Sequence, residues 1–106
     1  MALDGGDMQE ALLAGRIQWR RHALERMFTR RISRSEVVDV LRQNDRIESY
    51  PDSFPFPSAL FSGTINGRVL HVVAAFDGRP TVYVISTYEP DEEHFEPDLR
   101  TRRRID

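Results

Sequence analysis

ALFSGTINGRVLHVVAAF, residues 59–76, decides the fold. Two runs rich in β-branched and aromatic side chains flank Asn66-Gly67, and a two-residue turn there needs φ > 0 at both positions, which Asn and Gly tolerate best. The stretch predicts a β-hairpin with strands over Ala59–Ile65 and Arg68–Phe76. The turn also sets the register, with Ile65 opposite Arg68, Phe61 opposite Val72 and Ser62 opposite His71.

Working outward, Asp77-Gly78-Arg79-Pro80 closes the next hairpin and Thr81–Glu89 reads as its second strand. Arg46–Tyr50 is a short strand before the Pro-rich connection over residues 51–57, the one long irregular link in the chain. With two or four residues in the second loop, one sheet face carries Phe61, Ile65, Leu70, Val72, Ala74, Phe76, Tyr83 and Ile85. The other carries Leu60, Ser62, Thr64, Val69, His71, Val73, Val82, Val84, Ser86 and Tyr88. The first face is almost wholly apolar and is the candidate to receive helices.

Those helices lie upstream. Asp7 with Glu10 fits a capping box and Gly15 a terminator, predicting a short helix through about Ala14. Arg20–Thr29 places Ala23, Leu24, Met27 and Phe28 on one side of a helical wheel. Ser33 with Glu36 caps a third helix, whose buried side is Val37, Val38, Val40 and Leu41 and whose end falls near Asn44. A last helical segment is expected at about Glu92–Phe95, before Pro97. The expected fold is α+β, with two or three N-terminal helices packed on one face of a four-stranded, mainly antiparallel sheet. One domain spans 1–106: an N-terminal segment and short helix over 1–14, and a core over 15–104.

Composition narrows the chemistry. All fifteen cationic side chains among the 106 residues are arginine, and there is no cysteine. The absence of lysine removes imine chemistry and the phosphate-loop lysine; the absence of cysteine removes disulfides, thiolate nucleophiles and thiolate metal sites. The longest apolar run is too short to span a bilayer, and residues 1–7 show no basic or apolar leader pattern, so the expectation is a cytoplasmic protein with no membrane partner. The net charge of −2 conceals a segregation. Eleven of the fifteen arginines fall in residues 16–34 and 100–104, while residues 35–99 hold twelve acids. Basic ends are either a phosphate-binding stripe or the intramolecular counterpart of the acidic middle.

Three histidines are the candidate acids and bases. His71, flanked by Ser62, Ser86 or Val84 and with Tyr88 nearby, would sit among hydroxyls on the open sheet face. Its bland alternative is a hydrogen-bonded structural histidine. His22, Arg26 and Arg30 follow at i, i+4 and i+8 along one helix flank, and arginine forks recognise phosphate bidentately while a histidine beside them moves a proton. The alternative there is a solvated helix face. No paired-ligand spacing joins His22, His71 and His94, so no metal and no cofactor are expected.

Trp19-Arg20-Arg21-His22-Ala23-Leu24-Glu25-Arg26-Met27, then Arg30 and Ile32-Ser33 before a valine-rich helix, resembles the bacterial family DUF4258, a domain of unknown function. Ile47–Asp52, Pro55–Leu60, Leu70–Val73 and Thr87–Asp91 continue the likeness, which covers about residues 15–104. The family in turn looks distantly like the small RelE/ParE-like and BrnT-like toxins, which imply helices on one side of an antiparallel sheet and metal-free RNA cleavage. Carried over by matching motif, the resemblance points to His22, Arg26, Arg30, the Pro57-Ser58 corner, His71 and Tyr88. Where the family usually has glycine after the arginine matching Arg30, this chain has Arg31, which must then take a costly φ > 0 or end the helix differently.

The expected function is RNA or phosphate recognition, with a metal-independent ribonuclease of toxin type as its enzymatic form. In that form His22, His71 and Tyr88 are the catalytic candidates and Arg26 and Arg30 the phosphate ligands. The alternative is a non-catalytic interaction or regulatory module in which these residues are structural. Expected partners are RNA, a cognate antitoxin or regulator protein, or a second copy of the chain pairing through a strand edge.

Overall fold

A computed structural model describes residues 5–78 and 81–103, with no account of the side chains of residues 5 and 6. In chain order the elements are α1 (Gly5–Leu13), β1 (Ile17–Trp19), α2 (Arg21–Arg30), α3 (Arg34–Gln43), β2 (Arg46–Tyr50), β3 (Ser58–Ile65), β4 (Arg68–Phe76) and β5 (Val82–Tyr88). The fold is α+β. Its sheet has five strands in the order β1-β5-β4-β3-β2, antiparallel except for the parallel pair β1–β5.

The Asn66-Gly67 turn works as its chemistry demands. Both residues have positive φ, and Ile65 pairs with Arg68, Phe61 with Val72 and Ser62 with His71. The second hairpin corrects the expected face assignment. Phe76 pairs with Val82 across an odd-length connection, so Val82 and Val84, not Tyr83 and Ile85, face the helices and are fully buried. A bulge at Ile85, between the pairs Ala74–Val84 and Val73–Ser86, then shifts the parity back, so that Tyr88 shares the His71 face as expected, but it is Tyr88 rather than Ser86 or Val84 that lies directly opposite His71.

Helices α2 and α3 pack on this face, α2 against β5 and α3 against β3, with α1 against α3 and β5. The core joins Ala23, Met27, Ile32, Val37, Val40 and Leu41 to Phe61, Leu70, Val72, Ala74, Phe76, Val82 and Val84. Phe28 departs from expectation and is 78% exposed. It lies about 100° around the helix from Met27, beyond the arc that meets the sheet.

The helix ends follow local chemistry. Ser33 Oγ accepts from the Glu36 N–H while the Glu36 carboxylate accepts from the Ser33 N–H, a complete capping box. Arg31 takes the left-handed conformation at φ 56° where a glycine would be unstrained, and Ile32 N–H donates back to the Met27 carbonyl. Helix α1 begins at Gly5, so Asp7 lies in its first turn rather than at its cap.

The fifth strand, absent from the sequence reading, is β1. It has only three residues, bound to β5 through Ile17–Val82 and Trp19–Val84. Residues 92–95 form a single turn in place of the expected last helix. Asp91 Oδ1 accepts from the N–H groups of Glu93 and His94, and Phe95 then pairs with Arg102. The segment 94–103 thus folds back on itself as a strap. Asp98 caps its turn by accepting from the Arg100 and Thr101 N–H groups. No described helix is long and apolar enough to cross a membrane.

Candidate functional site

The strap determines what happens to His71. It lies over the sheet face that carries Leu60, Ser62, His71, Val73 and Tyr88, and His71 has no exposed surface. His71 Nε2 lies 2.7 Å from the Leu99 carbonyl, which can only accept, so the ring carries its proton on Nε2. Its bare Nδ1 then accepts from the Tyr88 hydroxyl at 3.3 Å, and the Phe95 ring meets it edge-on at 4.7 Å. Burial pushes the His71 pKa down, against the opposing pull of the Leu99 hydrogen bond. The expectation of an open sheet face around His71 is therefore corrected: it is a neutral histidine fastening the strap. Leu99 itself sits at φ 56°, a strained conformation in a non-glycine residue, aiming its carbonyl at that ring.

Arginines fix the strap at its edges. Arg100 forms a two-pronged ion pair with Asp45, Arg102 another with Glu48 at 3.2 Å, and Arg103 pairs with Glu96 at 3.2 Å. Burial alone would raise the Glu48 carboxyl, but Arg102 and the Tyr50 hydroxyl outweigh it and hold it below its ordinary range. Burial, then the same carboxylate, pushes Tyr50 up to about 12, so Tyr50 stays a donor to Glu48. The two readings of the charge segregation thus separate. The described tail arginines neutralise the acidic middle, and Arg104 lies outside the described residues.

Helix α2 is different. Arg30 donates to the Thr87 carbonyl at 3.0 Å, and Arg26 has no carboxylate partner among the described residues. Glu25, the acid of that helix, pairs with Arg21 at 3.5 Å. Neither Arg26 nor Arg30 is in an ion pair among the described residues, although the carboxylates of Glu89 and Asp91 line the same cleft.

That cleft, of about 710 Å³, lies between α2, the end of β5 and the strap. Tyr88, Asp91, His94, Phe95 and Arg102 are among the other residues that line it, with Glu89. Burial raises the Tyr88 pKa, with Arg102 opposing, so its phenol is a proton carrier rather than an anion. Arg102 lies 4.9 Å over the Phe95 ring and is committed to Glu48. Glu89 at the rim is committed to Arg68, at 2.9 Å.

Of the residues expected to form the site, Arg26, Arg30 and Tyr88 share this cleft. His22 does not line it. It is 89% exposed, on a smaller hollow of about 240 Å³ that shares Arg26 and Arg30 with the cleft. His71 lies behind Tyr88 and Phe95, so His22 and His71 do not form one site. The Pro57-Ser58 corner opens β3, where Pro57 accepts from the Phe76 N–H at 3.2 Å.

His94 is the histidine in the cleft. Its Nδ1 donates to Asp91 Oδ1 at 2.8 Å, which orients the ring and leaves Nε2 with a free lone pair. The His94 hydrogen bond in turn holds the Asp91 carboxyl below its usual range. The signal was the i, i+3 spacing of Asp91 and His94, masked by the acidic run around it. Asp91, Glu93 and His94 also bring one possible ligand atom each within 4.8 Å of one another, all exposed. The local turn already accounts for that cluster, since Asp91 caps it.

The profile of the family described as "Domain of unknown function (DUF4258)" matches residues 19–89. The chain belongs to that family. The matched region lies within the longer stretch that carries the resemblance, and it stops at the end of β5. In this DUF4258 protein the shared region supplies Arg26, Arg30, Tyr88 and Glu89, whereas Asp91, His94 and Arg102 come from the strap beyond it. Comparison with curated proteins and with solved structures returned no match.

Proposed function

We propose that this DUF4258 protein recognises RNA through its phosphates, in the cleft between α2 and the strap. The observation that carries the reading is that Arg26 and Arg30, neither in an ion pair among the described residues, open onto the same cleft as an aspartate-oriented histidine and a protonated tyrosine. Guanidinium forks match phosphate oxygens, and their charge is worth most where a rigid helix holds it in place. The site sits in a cytoplasmic protein whose substrate is cellular RNA.

The same equipment supports metal-independent cleavage. His94 Nε2 takes the proton of a 2′-hydroxyl, the freed oxygen attacks the adjacent phosphorus, and the 5′-oxygen departs with a proton from solvent, since the Tyr88 proton is held by His71 Nδ1. The products are a 2′,3′-cyclic phosphate and a 5′-hydroxyl, with Arg26 and Arg30 stabilising the charge that builds on the phosphoryl oxygens. The test is purified protein on total RNA with EDTA present. His94→Ala should abolish cleavage while retaining binding, and His22→Ala should retain cleavage. Unchanged cleavage by His94→Ala, or none by the wild type, would contradict the catalytic assignment.

A second reading is favoured by one observation: His71 and the tail arginines, part of the motif pattern, are consumed by the fold itself. On that reading the domain is a non-catalytic module, and the cleft receives an acidic segment of a regulator protein. Absence of any RNA binding would decide for it.

A further inference from the structure

Three hollows succeed one another along the exposed side of α2. The cleft shares Arg26 and Arg30 with the middle hollow, and the middle hollow shares His22 with a third, of about 270 Å³, at the start of the helix. The third is aromatic. Phe54, Phe56, Tyr83 and Ile85 line it together with Arg20 and His22.

Its rings are unequally engaged. Phe56 stacks on Tyr83 with centroids 5.4 Å apart and 17° between planes, and the Arg20 guanidinium lies 5.2 Å from the same Tyr83 ring. Phe54 is 94% exposed, and among the described residues no ring or cation meets it. A lone exposed phenylalanine needs no explanation. This one stands beside a fixed aromatic wall at the end of an arginine-bearing helix face, the pairing of stacking platform and cationic groove that single-stranded nucleic acids use.

We propose that the aromatic groove stacks bases of a single-stranded RNA whose phosphates run along α2 to Arg26 and Arg30; this rests on the RNA reading above. The ten residues of α2, Arg21–Arg30, cover about 15 Å, so the bound strand is longer than a single nucleotide. Bases stacked within a duplex present no free face to Phe54, so the groove selects single strands.

Fluorescence anisotropy with a labelled hexanucleotide RNA, and with the same sequence as a duplex, tests this on the full chain. Phe54→Ala removes an almost fully exposed side chain, so folding is not at risk. It should weaken single-strand binding about tenfold, leave duplex binding unchanged, and leave the salt dependence untouched, because stacking releases no counterions. Arg26→Ala should instead flatten the salt dependence for both. Wild-type binding that Arg26→Ala weakens and Phe54→Ala does not would overturn the stacking groove and leave phosphate recognition standing. No binding by the wild type would overturn both.

Discussion

The neutral, buried His71 makes the stability of this protein depend on pH in a definite window. Its pKa lies below the ordinary value of 6.5 because burial disfavours the imidazolium, and both ring nitrogens are engaged as in the neutral form. The unfolded chain therefore binds a proton that the folded chain refuses. Stability is full above pH 6.5 and falls as the pH drops below it. Between about pH 7.5 and about pH 5.5 a single such histidine can cost at most roughly 1.4 kcal/mol, a Tm decrease of up to about 6 °C. The carboxyls held low by their partners, Glu36, Asp45 and Glu48, contribute in the same direction only below pH 4.5. The control is His71→Gln, whose amide N–H can still donate to Leu99 but does not titrate. Thermal unfolding followed by circular dichroism at the two pH values should show the decrease in the wild type and lose most of it in His71→Gln. An equal decrease in both would refute the assignment of a neutral structural histidine.

Two further changes probe the scaffold. Arg31→Gly should raise stability by about 0.5–1 kcal/mol, because glycine takes the left-handed conformation of the α2 C-cap without strain; a lower Tm would count against that account. Gly63→Ala should destabilise by about 1–3 kcal/mol, since its Cβ would meet the Val40 Cα at 3.1 Å and Gln43 Oε1 at 2.8 Å, forcing α3 off the sheet; unfolding in urea reads the change.

What the sequence disclosed and concealed divides along physical lines. Asn66-Gly67 fixed the central hairpin because a two-residue turn admits so few backbone conformations. Ser33 with Glu36 marked the start of α3 for the same local reason. Ile17–Trp19 gave no periodic signal in three residues, and its pairing with β5 depends on a partner more than sixty positions away. The odd connection before Val82 and the bulge at Ile85 cancelled in parity, which is why Tyr88 was legible on the His71 face, while its pairing directly opposite His71 and the placement of Tyr83 and Ile85 were not. The site was half legible. Arg26 and Arg30 follow from helical spacing, but the burial of His71 depends on a strap whose return over the sheet has no local signature. His94 was hidden because Asp91 reads as one acid among several until the turn brings it to the ring.

Salt dependence measures most directly whether Arg26 and Arg30 bind RNA phosphates. Binding of a single-stranded RNA to wild type, Arg26→Ala and Arg30→Ala should be followed by anisotropy across a range of salt concentrations in EDTA, with Tm recorded for each. Each lost phosphate contact should reduce the slope of log affinity against log salt by about 0.7, with the Tm of Arg26→Ala unchanged. A slope identical to wild type in both variants would contradict the account.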